Sequence, residues 1–179
     1  MDVVFAVDMS GSMEENYENM IDFTKQTIRR LPVNANATRV SITTFSDNAT
    51  ILFDLDDYQT PSSIRNALVF GRSGGETNIY QAIALARQSA FTSNRGDRPD
   101  VRNVLVLVTD GIATVQAEKV PEEVAAAKGA RIEVLVVLIG KESDVRNVTG
   151  DPMYVRNTND VTPVSISLVN RLCTTAETV

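Results

Sequence analysis

Residues 3–13 read VVFAVDMSGSM, and this stretch decides the fold. Val3–Val7 is a short uninterrupted apolar run, and two more follow at Val104–Val108 and Ile132–Ile139, all rich in Val, Ile and Leu. Such runs suit parallel strands buried on both faces. Arg39–Phe45 (RVSITTF) alternates more and reads as a strand nearer an edge, with Thr50–Phe53 as the next strand after the SDNA turn. Between these strands the period changes. Met13, Tyr17, Met20, Thr24, Ile28 and Leu31 recur at spacings of three and four, a helical stripe ended by Pro32. Pro61–Phe70, Ile79–Phe91, Val115–Lys128 and Pro163–Leu172 read as further helices, with Gly129 as a natural stop for the one ending at Lys128. Strands separated by helices need crossover connections, which predicts a doubly wound α/β domain, mostly parallel, with helices on both faces. No repeat, low-complexity tract or linker interrupts the pattern, so a single domain is expected over 1–179.

Composition removes several functions. The formal charge of −6 argues against a nucleic-acid binder, which would carry a basic stripe. No apolar run is long enough to span a bilayer, so no membrane insertion is expected. With 0 histidines, a Ser-His-Asp triad, a Cys-His pair and a histidine-ligated zinc protease are all excluded. The lone Cys173 can form neither an internal disulfide nor a thiolate zinc site. Met1 leads straight into strand-like sequence without a signal peptide, which suggests a fragment of a longer protein.

In open α/β sheets, ligands sit beyond the carboxyl ends of the strands, where strand order reverses. Asp8, Ser10, Gly11 and Ser12 follow the first strand, and Asp110-Gly111 follows VLVLVT. GRSGGETN places Thr77 at the start of a helix. Together these segments gather two carboxylates and three hydroxyls, all hard oxygen donors suited to a small divalent cation. Neutral hydroxyls from Ser10, Ser12 and Thr77 leave such a metal under-neutralised and open to a carboxylate from another protein. Gly11, Gly74 and Gly75 supply the tight turns.

The spacing D-x-S-x-S at a strand end, with a later G-x-T and a T-D-G, resembles the metal-ion-dependent adhesion site (MIDAS) of von Willebrand factor A domains. The resemblance runs from VVFAVDMSGSM through SITTFSDNA and GGETNIYQAI to NVLVLVTDG and VLVVLIG, covering the whole chain. DxSxS alone is a weak pattern; the three segments in order make it specific. The resemblance implies metal ligation by Asp8, Ser10, Ser12, Thr77 and Asp110, with Mg²⁺, or Mn²⁺ or Ca²⁺ in its place. It further implies a six-stranded sheet with one antiparallel edge, and the extracellular-matrix branch of the family, of the matrilin and collagen VI kind. The expected function is then metal-dependent adhesion, in a secreted matrix protein, to collagen or another partner with an exposed acidic side chain. The alternative is a structural matrix-assembly domain, as in cartilage, byssus or shell, whose metal only stabilises the fold. An affinity switch in the last helix is also implied, as is pairing of Cys173 with a cysteine just before the first strand, which this chain lacks; a free buried thiol is the alternative for Cys173.

An enzyme is the third class, and the motifs disfavour it. An aspartyl-phosphate phosphatase needs a second acid two residues after its nucleophile, where Ser10 stands. GRSGGET lacks the Gly-Lys-Ser/Thr end of a phosphate loop, and SGSMEE is no dinucleotide fingerprint. Arg95-Gly96-Asp97 spells a tripeptide that integrins recognise, but chance supplies such triplets and relatives carry an Arg-Pro turn here. Asp54, Asp56 and Asp57 read as a solvated turn. Asn36-Ala-Thr, Asn48-Ala-Thr and Asn147-Val-Thr fit the N-glycosylation pattern and favour a secreted glycoprotein.

Overall fold

The computed structural model describes residues 1–71, 74–140, 145 and 148–174. Its centre is a six-stranded sheet of β1 (Asp2–Asp8), β2 (Arg39–Phe45), β3 (Ala49–Phe53), β4 (Asn103–Thr109), β5 (Ile132–Ile139) and β6 (Met153–Val155). The order is β3-β2-β1-β4-β5-β6. Only the β2–β3 pair is antiparallel, and it forms one edge. The chain leaves β1 toward β2 and β3, then returns to the other side of β1 as β4. The reversal point of the sheet therefore lies between β1 and β4, and the segments after Asp8 and Thr109 both open onto it.

Alternation along the strands divides the core into two. Val3, Phe5 and Val7 pack with Val104, Val106 and Val108 beneath helices α1 (Tyr17–Arg30), α2 (Pro61–Ala67) and α5 (Thr158–Thr174). Val4, Ala6, Leu105 and Leu107 face the other way, against α3 (Ile79–Leu85) and α4 (Val120–Gly129). Every residue of β1 is buried, as expected for a central strand covered on both faces.

Several expected boundaries move, each for a local reason. The stripe from Met13 to Leu31 is two elements, a 3₁₀ turn over Gly11–Asn16 and then α1. The helix expected over Pro61–Phe70 stops at Ala67, and the Tyr17 hydroxyl donates to the Phe70 carbonyl at 2.7 Å. The one expected over Ile79–Phe91 widens after Leu85 into a π turn, closed by Phe91 N–H to the Ala86 carbonyl. Val115–Lys128 opens as a 3₁₀ turn before α4. Gly129 is the last residue of the helix, one beyond the expected end, and Arg131 rather than Gly129 takes the left-handed turn, at φ 61°. The last helix begins five residues before Pro163, where the Asn157 side chain accepts from Asn159 N–H and its carbonyl from Asp160 N–H. Cys173 lies inside this helix and is free, and it is exposed, so it is not the buried thiol of the alternative expectation. β6 is three residues long and carries no readable pattern of its own.

Candidate metal site

Asp8 closes β1 at the reversal point and is fully buried. Its Oδ1 accepts the Ser10 amide at 2.9 Å, and its Oδ2 accepts the Thr109 hydroxyl at 2.6 Å. Thr109 in turn accepts Gly111 N–H at 3.0 Å, which ties the turn after β4 to the turn after β1. Burial pushes the Asp8 carboxyl up to about 6; the donors from Ser10 and Thr109 oppose the rise and the Asp110 charge adds to it.

The hydroxyls converge from segments far apart in the chain. Ser10 Oγ lies 3.1 Å from Ser12 Oγ, and Thr77 Oγ1 donates to Ser10 Oγ at 3.0 Å. Two straps bring the loops together: Gly74 N–H donates to the Met9 carbonyl and Gly11 N–H to the Gly75 carbonyl, both at 3.0 Å. Thr77 is held on its other side, its N–H on Thr114 Oγ1 at 2.9 Å and its carbonyl accepting Thr114 N–H. Gly74 and Gly75 take positive φ, as their place in the tight turn requires, and Gly11 does not. At Gly75 the requirement is also spatial. An added Cβ would meet the Asp47 carboxylate at 2.7 Å.

Asp47 is one of three supporting residues that motif reading passes over. Its Oδ1 accepts Glu76 N–H at 2.8 Å, and its carbonyl accepts the Asn78 amide at 3.0 Å, so the β2–β3 turn props the Thr77 segment. Thr114 and Thr109 are the others, Thr109 standing within the T-D-G motif without a role assigned to it there. Thr109 had a signal: in the parallel register Val7 pairs with Val108, which sets Asp8 beside Thr109. A cleft of about 220 Å³ opens over the site, lined by Ser12, Gly75, Glu76, Thr77, Asp110, Ile112 and Thr114. All five sequence-derived positions thus meet at the carboxyl end of the central strands, Asp8 and Ser10 buried beneath and Ser12 exposed at the rim. Among the described residues no group of three or more His, Cys, Asp or Glu is placed to hold a metal, so any cation here must lean on hydroxyls.

A family model for the von Willebrand factor type A domain matches residues 2–162. The chain belongs to this family. It is 27% identical over 180 residues to the human collagen alpha-6(VI) chain, covering 98% of this chain and 8% of that one. Matrilin-3 from Gallus gallus is 30% identical over 161 residues, 86% of this chain and 35% of that protein. The chain therefore spans a small part of the matrix proteins it matches. Among solved structures it is similar to proximal thread matrix protein 1 from the mussel byssus with a zinc-occupied MIDAS motif. That likeness has a TM-score of 0.85 and 21% identity, over 96% of this chain and 48% of that one. These relatives are extracellular-matrix proteins, and no described helix is long and apolar enough to cross a membrane.

The remaining motifs resolve differently. Arg95 is spent on an ion pair with Asp54 at 2.7 Å, so the acidic turn after β3 is not purely solvated. Gly96 is buried and Asp97 Oδ1 is buried, so Arg95-Gly96-Asp97 does not present the splayed charges an integrin reads. Asn36 and Asn48 are exposed, and Asn147 lies outside the described residues.

Proposed function

We propose that this von Willebrand factor A domain is a metal-dependent adhesion module of a secreted matrix protein, and not an enzyme. In this reading Ser10, Ser12 and Thr77 hold Mg²⁺ or Mn²⁺ directly, while Asp8 and Asp110 hold its bound water. The observation that carries it is the convergence of the three hydroxyls at 3.0 and 3.1 Å from segments 67 residues apart. In an octahedral shell with bonds of roughly 2.1 Å, neighbouring ligand oxygens stand about 3.0 Å apart, so the set fits. The cation supplies an electrophilic position for an acidic side chain of a partner, with collagen or another matrix protein as the expected source. The chain's own share is orientation: Thr109 fixes Asp8, Thr114 fixes Thr77, and Asp47 braces the turn between.

Binding of this chain to immobilised collagen in Mg²⁺ or Mn²⁺, with and without EDTA, tests the reading. Loss of binding in EDTA, and in Ser12→Ala with the fold intact, is expected. Binding that survives chelation favours the structural matrix-assembly role, with the metal confined to stability. Metal uptake that persists in both Ser12→Ala and Asp110→Ala removes the ligand assignment.

A further inference from the structure

We infer that Asn48 is an N-glycan acceptor whose first sugars lie in the partly apolar groove beside it, flanking the candidate metal face. This rests on the secreted placement proposed above. Asn48 ends the tight β2–β3 turn, where Ser46 N–H donates to its carbonyl at 3.1 Å. Ala49 follows it and Thr50 completes the acceptor pattern. Both Asn48 and Thr50 are exposed, and the Asn48 amide makes no hydrogen bond among the described residues. The sequon at Asn36 differs: Thr38 is 2% exposed, and Arg98 holds the Asn36 carbonyl at 2.9 Å.

The groove supplies the second, independent observation. It measures about 280 Å³, and its lining includes Asp47, Asn48, Thr50, Leu52, Val69 and Phe70. Four large apolar side chains are exposed among the described residues, and two of them, Leu52 at 41% and Val69 at 78%, meet here. Paired exposed apolar groups next to an acceptor asparagine are covered when the C–H face and acetyl methyl of an N-acetylglucosamine settle on them. The groove and the metal cleft share no lining residue, so the sugar leaves the cleft open while closing one side of its approach. Chemically, Asn48 Nδ2 bonds to C1 of the sugar and loses one proton. The bond from C1 to the diphosphate of a polyprenyl-diphosphate oligosaccharide breaks, the cell supplying both donor and transferase.

The test uses the full chain behind a fused secretory leader, in a eukaryotic line restricted to high-mannose glycans. Glycoamidase release in heavy-oxygen water is expected to label position 48; T50A should lose that label and T50S keep it. An unlabelled position 48 in secreted protein overturns the acceptor. Trimming to a single N-acetylglucosamine should slow amide exchange in residues 50–52 and 67–71 roughly twofold against fully deglycosylated protein. Equal exchange overturns the packing. Metal-dependent stabilisation of the unglycosylated chain is measured separately, so failure of the metal reading is distinguishable from failure of this one.

Discussion

The two ends of β1 each carry a buried aspartate, and the chain treats them in opposite ways. Asp2, at the amino end, receives a full positive charge from within the protein. Arg98 pairs with it at 2.5 Å, and the same guanidinium donates to the carbonyls of Met1, Asn36 and Ala37. Asp8, at the carboxyl end, receives neutral donors from Ser10 and Thr109, with Asp110 adding a second negative charge. Both carboxylates are fully buried, so the amino end is a closed ion pair, and among the described residues no lysine or arginine pairs with Asp8 at the carboxyl end. That asymmetry is the physical case for a cation at the carboxyl end, independent of motif.

The largest effect should come from breaking the closed end. Arg98→Ala leaves Asp2 buried without its partner and strips donors from the loop at 35–37. A loss of about 3–5 kcal/mol in urea unfolding is expected. Added Mg²⁺ should not restore it. A loss under about 1 kcal/mol would mean that the Asp2 pair is no staple and the contrast is empty.

Next in size is the metal response of the open end. A cation bound only to the folded state, at a hundred times its Kd, adds about 2.7 kcal/mol. For a chain of 179 residues that corresponds to a rise in Tm of roughly 5–10 °C, reversed by EDTA. No shift at millimolar Mg²⁺ or Mn²⁺ would remove the site.

How much of this contrast was legible in the sequence depends on the range of each contact. Asp8, Ser10 and Ser12 lie within five residues of a readable strand end, and the later segments keep their order, so the donor set could be named. The strands were legible because Val3–Val7 and Ile132–Ile139 are apolar on both faces. β6 was not, because Met153–Val155 owes its strand state to pairing with Val137–Ile139 and to no pattern of its own. The start of the last helix was missed because Pro163 is a common first-turn residue, whereas the cap that starts it is Asn157. Asp47, Thr109 and Thr114 act on partners 29, 101 and 37 residues away, and only the assembled sheet brings them into reach. The exposure of Cys173 likewise follows from how α5 is turned, which a residue type accustomed to burial does not announce.

The raised carboxyl of Asp8 sets a pH dependence of intermediate size. In the metal-free protein its folded value, about 6, lies above its ordinary value of 3.8, so this group's contribution is fully present below 3.8 and is lost as pH rises through 6. A cation needs the ionised form, and the two effects then oppose each other. Below pH 6, each unit should weaken metal affinity by about tenfold, or roughly 1.4 kcal/mol. The metal-induced rise in Tm should therefore shrink steadily between pH 7 and pH 5. A constant rise across that range would show that Asp8 is already ionised in the metal-free fold.

The smallest effect is the sharpest test of the contrast, because it compares one substitution at both ends of one strand. Asp8→Asn in EDTA at pH 7 removes a buried charge that no cation among the described residues pairs with. The remaining Oδ1 still accepts the Ser10 amide, and the new amide faces Thr109 Oγ1, which has a lone pair left beside the one that takes Gly111 N–H. Lost hydrogen-bond energy and relieved desolvation are then of similar size, and the net change should stay within about 1 kcal/mol. Asp2→Asn should cost several times more, since it leaves the Arg98 charge, 17% exposed, without its carboxylate. Only the Asp8 variant should also lose the metal response. If both variants fall equally in urea, the carboxyl end is as closed as the amino end, and a cation has no electrostatic reason to sit there.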